Sequence, residues 1–299
     1  MKVSIIIPIF NNLDYTKKCL NALKSNTREN YLEDIIIIDN KSSDGSEDYI
    51  SRTNWVRLLS NDKNEGFAKA CNRGTKNATG KIFIFLNNDT EVQRGWVEPL
   101  IDALEDEEVA ISGPRLLFPN GLIQNAGVII SSDHIPRHIY VGEDSNKPYV
   151  NKKREFNAVT GACLAIKKNI FDDIGGFDEE FINGMEDIDL CLKVRKMGKK
   201  ILYCPKSVVI HRESMSPGRS KFNKQNNELY LKRWSNIEPD EQTYYKEDGR
   251  NILYRLNKEL NNKYLSDKYK DKVFLLQIPG YIYRLFRKIF NLMNGYFCQ

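Results

Sequence analysis

Four places in the 299-residue sequence combine carboxylates, amides or an imidazole in patterns that can do chemistry. Asn87-Asn88-Asp89-Thr90 follows the apolar run 81–86. A carboxylate flanked by amides at a strand end is a hard-oxygen site for Mg²⁺ or Mn²⁺ shared with a diphosphate, although the same residues also make a good turn. Glu186, Asp187 and Asp189 set three carboxylates into four positions where a helix begins. Acids suit a helix N-terminus, but clustered carboxylates also raise one another's pKa, which tunes a general base toward neutral pH. Asp39 closes the run 35–38 ahead of Asn40-Lys41-Ser42-Ser43-Asp44-Gly45. There it either accepts hydrogen bonds from a base or ribose or caps the next turn. His211 ends the run 208–210 and is one of three histidines, the others being His134 and His138 in a polar stretch. A lone strand-end histidine is commonly structural; paired with an acid from another strand end, it completes a metal site.

Such residues need a scaffold that gathers strand ends, and the periodicity supplies one. Residues 3–9, 34–39, 56–60 and 81–86 read as strands alternating with helical segments 13–25, 43–51 and 65–77. This is the pattern of βαβ units around a mostly parallel sheet, an α/β class. Continuous isoleucine runs such as 35–38 belong to strands buried on both faces. Ligands of such sheets collect outside the carboxyl ends of the strands, where Asp39 and Asp89 fall. Farther along, residues 109–130 read as short strands broken at Gly113-Pro114, Pro119-Asn120-Gly121 and Gly127, and 131–153 as a mobile polar loop. A helix over 185–197, strands over 201–204 and 208–211 and a helix over 226–234 follow, with no internal repeat.

A composition of 41% hydrophobic and 28% charged residues is that of a folded globular chain. No stretch approaches the length of uninterrupted apolar sequence a membrane span needs, and Met1-Lys2 leads into strand-like sequence without a signal pattern. The expected location is the cytoplasm, with peripheral contact at the inner face of the cell membrane as the second expectation. Six scattered cysteines without a C-x-x-C pair read as reduced and mostly core. The net charge of +5 is concentrated: residues 249–299 hold ten Lys/Arg and three Asp/Glu. Within that tail, 281–297 places Arg284, Arg287 and Lys288 on one helical face and Ile282, Leu285, Phe286 and Ile289 on the other. Such a helix suits an anionic membrane surface, docking on the core, or a second copy of the chain. No nucleic-acid signature accompanies the charge. G-x-G-x-x-G, P-loop, H-E-x-x-H and G-x-S-x-G motifs are all absent, which removes the best support for dehydrogenase, NTPase, zincin and hydrolase readings.

Six segments in order, VSIIIPIFN (3–11), DIIIIDNKSSDGS (34–46), NEGFAKACNRG (64–74), LNNDT (86–90), GGFDEEF (175–181) and EDIDL (186–190), resemble family 2 glycosyltransferases. The form of LNNDT and the later Val-Ile-His-Arg-Glu-Ser are most similar to bacterial rhamnosyl- and hexosyltransferases of surface-glycan assembly. The resemblance covers residues 1–215 and leaves 216–299 as a helical, basic extension. It implies a GT-A fold and transfer of a hexose or deoxyhexose, with inversion, from a UDP- or dTDP-sugar to a hydroxyl of a glycan, lipid-linked or protein-linked acceptor, aided by Mn²⁺ or Mg²⁺. By motif, Pro8, Phe10 and Asn11 line the nucleotide cleft, Asp39 holds the base, and Gly66 and Asn88 lie near the donor. Asp89 binds the metal and His211 makes a second metal or diphosphate contact. Asp187 is the favoured general base, with Glu186 and Asp189 as the neighbouring candidates. The family's Asp-x-Asp motif begins here with Asn87, so only Asp89 supplies a carboxylate. The rivals are a nucleotidyltransferase, which would want a Gly-rich basic loop where Pro8-Ile9-Phe10-Asn11-Asn12 stands, and an inactive assembly module of the same fold.

Overall fold

The computed structural model describes residues 1–212 and 219–250. The expected amphipathic helix over 281–297 and most of the basic tail lie outside the described residues. Met1–Pro239 forms one compact unit and a second begins at Asp240, of which the short helix α8 (Glu241–Glu247) is described.

The first half builds as its isoleucine runs dictate. Strands β1 (Val3–Ile9), β2 (Leu32–Asp39), β3 (Arg57–Ser60) and β4 (Ile82–Leu86) alternate with helices α1 (Leu13–Asn26), α2 (Ser46–Ser51) and α3 (Phe67–Thr75). These four strands pair in parallel in the order β3-β2-β1-β4. Successive side chains of a strand point to opposite faces, so one run feeds two cores. Ile6, Ile36, Ile38, Phe83 and Phe85 share one buried cluster with α3, while Ile5, Ile7, Ile35, Ile37 and Ile84 share another with α1. Full burial of each such side chain contributes about 1.5–3 kcal/mol. Helix α3 seats closely because Gly74 lies on β1 and β2, where a Cβ would come within 2.7 Å of Ile6 and 2.8 Å of Ile38.

The second half extends and curls the sheet. β5 (Thr90–Val92), α4 (Glu98–Leu104), β6 (Val109–Leu117), β7 (Ile123–Asn125), β8 (Val128–Ile130), β9 (Pro136–His138), β10 (Arg154–Glu155) and β11 (Cys163–Lys167) are followed by α5 (Lys168–Asp173), α6 (Glu186–Lys196), β12 (Lys200–His211) and α7 (Asn223–Trp234). β11 runs antiparallel to β4 and β6, β12 lies parallel to β6, and β5 closes antiparallel on the end of β12.

Three expectations are corrected. Gly113-Pro114 does not break a strand: β6 runs through both, with Pro114 opposite Cys204. The N–H that proline lacks falls where the β6–β12 register shifts between Cys204 and Val208. The same shift joins the two strands expected over 201–204 and 208–211 into the single β12. Residues 131–153, expected to be a mobile loop, are folded onto the sheet. They contribute β9 and a 3₁₀ turn at Pro148–Asn151. Arg115 Nη1 donates to Ser145 O and Asn151 Oδ1, and the buried Tyr203 hydroxyl donates to Val150 O at 2.8 Å. The five described cysteines are all buried, and burial pushes the Cys19 thiol up to about 12, so they serve as core. No described helix is long and apolar enough to cross a membrane.

Candidate active site

The ends of β1, β2 and β4 open into one cleft of about 180 Å³. Pro8, Ile9 and Phe10 line it, together with Asn40, Asn64 and Gly66. Two loops are stitched together at this edge. Ser42 N and Oγ both donate to the Asp39 carboxylate, Asn11 N donates to Ser42 Oγ at 2.7 Å, and Ser43 N donates to Asn11 Oδ1 at 2.8 Å. Asp44 accepts from Leu13 N and Ser46; burial works against its ionisation, and these hydrogen bonds hold its carboxyl below the usual value. Asp39 and Asn11 thereby tie the loops after β1 and β2 to each other at the edge of the cleft. Asp39, only 1% exposed, organises the turn that carries Asn40, which is the capping role its position also allowed. Asn40 in turn donates to Gly66 O and accepts from Asn61 and Glu65 N, fixing the entry to α3. Gly66 sits at φ 83°, a left-handed conformation natural only to glycine.

Asn88 and Asp89 also line the cleft. Asn88 Nδ2 donates to Thr16 Oγ1 at 2.9 Å, and Asn87 O accepts from Thr90 Oγ1 at 2.6 Å. β5 pairs with β12 so that Thr90 faces His211, and this brings His211 Nε2 to 3.2 Å from Asp89 Oδ1. That separation is not aligned as a hydrogen bond for Nε2. On the other side of the ring, Nδ1 lies 2.6 Å from Gln124 Oε1, and Gln124 Nε2 donates to His211 O at 3.0 Å. Glu91 and Arg212 pair just outside, at 2.7 Å.

The third group comes from the start of α6. The loop leading into it is gripped twice by amide side chains. Asn72 of α3 donates to Phe177 O and accepts from Phe177 N, and Asn226 of α7 does the same to Ile182. Phe177 also packs edge-on against Phe85, with ring centroids 4.7 Å apart. The backbone then turns through left-handed Asn183 and Met185 and delivers Glu186 and Asp187 to the cleft. Asn183 Oδ1 accepts from Phe67 N, the first residue of α3, at 3.0 Å. Glu186 accepts from Gly184 N, and Asp187 Oδ2 accepts from Gly161 N at 2.6 Å.

Asp189 departs from this grouping. Two residues past Asp187 it lies about 200° around the helix, facing away from the cleft and fully buried. There it pairs with Lys193 at 2.8 Å and Arg233 at 3.3 Å and accepts from Trp234 Nε1 at 2.9 Å, which binds α7 to α6.

The family model described as glycosyl transferase family 2 matches residues 4–175, more than half of the chain. The chain belongs to glycosyltransferase family 2. It is 31% identical over 226 residues to the O-antigen biosynthesis protein RfbC of Myxococcus xanthus, a match that covers 72% of this chain and 18% of that protein. With an N-acetylglucosaminyl-diphospho-decaprenol L-rhamnosyltransferase of Mycobacterium tuberculosis it shares 27% identity, over 62% of this chain and 68% of the relative. Among solved structures, GalNAc-T7 with UDP, GalNAc and Mn²⁺ superposes with a TM-score of 0.62 at 17% identity, over 88% of this chain and 57% of that one. The fold is accordingly of the GT-A type.

In this family 2 chain, a divalent cation fits the Asp89 and His211 pair: a buried imidazole nitrogen without a hydrogen-bond partner faces a carboxylate oxygen across 3.2 Å. Among the described residues no group of three or more His, Cys, Asp and Glu is placed to hold a metal. Mg²⁺ at a diphosphate is usually held by one or two carboxylates with phosphate and water oxygens, so Asp89 fits that pattern and the His211 imidazole is the unusual ligand. Sequence reasoning passed over Gln124, Asn183, Thr160 and Gly161. The small-residue run Thr160-Gly161-Ala162 ahead of β11 and a buried Gln124-Asn125 pair between apolar residues were the available signals.

Proposed function

We propose that this chain transfers a hexose or deoxyhexose, in a single displacement with inversion, from a nucleoside-diphosphate sugar to an acceptor hydroxyl. The observation that carries this reading is the convergence of Asp187, from the start of α6, and Asp89, beside His211, on one cleft at the strand ends. The nucleoside lies over Pro8 and Phe10 beside Asn40 and Asn64, with Asp39 shaping that wall through Ser42. Asn88 and the Gly66 turn approach the ribose and diphosphate. The acceptor oxygen attacks the anomeric carbon, the carbon–oxygen bond to the β-phosphate breaks with its electron pair left on the phosphate oxygen, and the acceptor proton passes to Asp187. A Mn²⁺ or Mg²⁺ held by Asp89 and His211 would supply positive charge to the departing diphosphate. The donor nucleotide in this reading is UDP or dTDP. The names of the O-antigen and decaprenol-linked relatives favour a glycan or lipid-diphosphate-linked sugar as acceptor.

Incubation with UDP- and dTDP-sugars, Mn²⁺ and prenyl-diphosphate-linked sugars tests the reading. The expected result is release of nucleoside diphosphate that rises with acceptor and falls with chelator, giving a product of inverted anomeric configuration by NMR. Asp187→Asn should lose about 10²–10⁴-fold in transfer while still binding donor. Pyrophosphate exchange would replace this reading with nucleotidyl transfer, and a retained anomeric configuration would remove the single displacement.

A further inference from the structure

We infer that Gln124 is a positioning residue that fixes His211 as the Nδ1–H tautomer and so keeps the Nε2 lone pair turned toward Asp89 for a cation. The inference rests on the reading of Asp89 and His211 as the cation ligands. Gln124 is 2% exposed and His211 4% exposed, so neither exchanges its partners with water. The orientation of the Gln124 amide follows from chemistry. His211 O is a backbone carbonyl that can only accept, so the amide NH₂ must lie on it, at 3.0 Å. The amide oxygen then faces His211 Nδ1 at 2.6 Å, and because it too can only accept, Nδ1 must carry the hydrogen. In the neutral ring this leaves Nε2 without a hydrogen, as a lone pair 3.2 Å from Asp89 Oδ1. Two acceptors face each other inside the protein, an arrangement a divalent cation relieves.

The backbone gives Gln124 the reach to do this. β6 pairs with β7 at Leu116 with Asn125 and at Leu117 with Ile123, so Gln124 is the additional residue of a β-bulge. Bulges redirect a side chain out of the regular alternation and recur beside active sites. Here the redirected amide spans the ring and the main chain of one residue, so it fixes both the tautomer of His211 and the depth at which its ring sits.

The presence of only three histidines makes the test direct. Two-bond ¹H–¹⁵N spectra of the ¹⁵N-histidine-labelled full chain at neutral pH, assigned with His134→Gln and His138→Gln, should show His211 with a protonated Nδ1 and a pyridine-type Nε2. A protonated Nε2 in the wild-type protein, whether as the other tautomer or as imidazolium, overturns the inference without any variant at Gln124. Gln124→Met keeps the size and removes the contacts to His211 Nδ1 and O. It should give a mixture of tautomers and weaken Mn²⁺ binding, measured calorimetrically with UDP present, by about 10–100-fold. Unchanged Mn²⁺ affinity in a folded Gln124→Met protein also overturns the inference and leaves the metal reading standing. Conversely, a wild-type His211 in the inferred tautomer that takes up no Mn²⁺ with UDP supports the Gln124 assignment and removes the metal reading.

Discussion

Asp187 Oδ2 accepts a hydrogen bond from the Gly161 amide at 2.6 Å, and a Cβ on Gly161 would stand 3.0 Å from Asp187 Cβ. The carboxylate at the mouth of α6 is thus aimed by the backbone that leads into β11, across a gap only a glycine leaves. Gly161→Ala should push the carboxylate out of line while leaving its chemistry intact. The contact displaces the carboxylate by a few tenths of an ångström, so the expected effect is a fall in kcat of about tenfold, less than the roughly 10²-fold of a misplacement near 1 Å, with donor KM little changed. Steady-state kinetics on the two parameters separately would check it, and an unchanged kcat would remove Asp187 from the reaction.

Asp89 should matter to metal rather than to fold. Asp89→Asn keeps the volume and replaces the only carboxylate of the Asn87-Asn88-Asp89 turn. Mn²⁺ titration of nucleoside-diphosphate release should shift to at least about tenfold higher concentration, the lower end of what lost metal-site contacts cost. Overlaid titration curves for the two proteins would place the cation elsewhere.

Asp189 gives the opposite pattern. Its carboxylate is fully buried between Lys193, Arg233 and the Trp234 indole, and removing it strands those donors. Breaking a buried pair costs about 3–5 kcal/mol, and the lower end applies because both cations keep some contact with water. Asp189→Ala should therefore lower the urea midpoint strongly. Asp187→Ala, which frees only the Gly161 and Ile188 amides, should lower it less.

Asn226 tests whether α7 serves the cleft. Its buried amide satisfies both the N–H and the C=O of Ile182, just before the left-handed residues that deliver Glu186 and Asp187. Asn226→Ala leaves two backbone groups without their partner, a cost of about 1–3 kcal/mol per buried group. Amide hydrogen exchange should rise over residues 181–185, with a parallel loss of kcat. Exchange confined to α7 itself would show that the clamp holds only the helix.

Acid stability follows from three aspartates. At Asp44, Asp133 and Asp178 burial opposes ionisation, but hydrogen bonds and, for the latter two, the cations Arg137, Lys193 and Arg233 hold the carboxyl below its ordinary value. The unfolded chain then binds these protons more readily than the folded one. The stability they contribute is complete above the unfolded carboxylate pKa of about 4 and is lost as pH falls through the lower folded values. Urea midpoints measured from pH 7 downward should stay level to about pH 5 and then drop. In Asp178→Asn the drop should be shallower.

The centre of the parallel half was legible because β1, β4 and the second half of β2 are buried on both faces and rich in Ile and Phe, whereas the edge strand β3 is not. Asp187, Asp89 and His211 were legible as types at strand or helix ends. Asp189 was not separated from Asp187 because proximity in sequence was weighed without the helical angle, which puts the two on opposite sides. Gln124 was out of reach for a different reason. Its role comes from a bulge, and a one-residue offset between two strands leaves no mark in the hydrophobic pattern. The strand that continues through Gly113-Pro114 was hidden likewise, since proline reads as a stop unless the partner's register shift is known.

The pairing of β5 with the end of β12 has one more consequence. Asp89 and His211 are far apart in sequence, yet one short antiparallel ladder fixes their separation, so that distance belongs to the sheet. The folded segment 131–153 is tied in beside that ladder: Glu143 O accepts from Ile123 N at 2.8 Å and Gly142 N donates to Ile123 O at 2.7 Å, next to Gln124. Rewriting that segment at Gly142 or Glu143 therefore reaches Gln124 and, through it, the His211 ring. The ladder sets the distance between the two side chains, and the loop beside it sets how one of them is held.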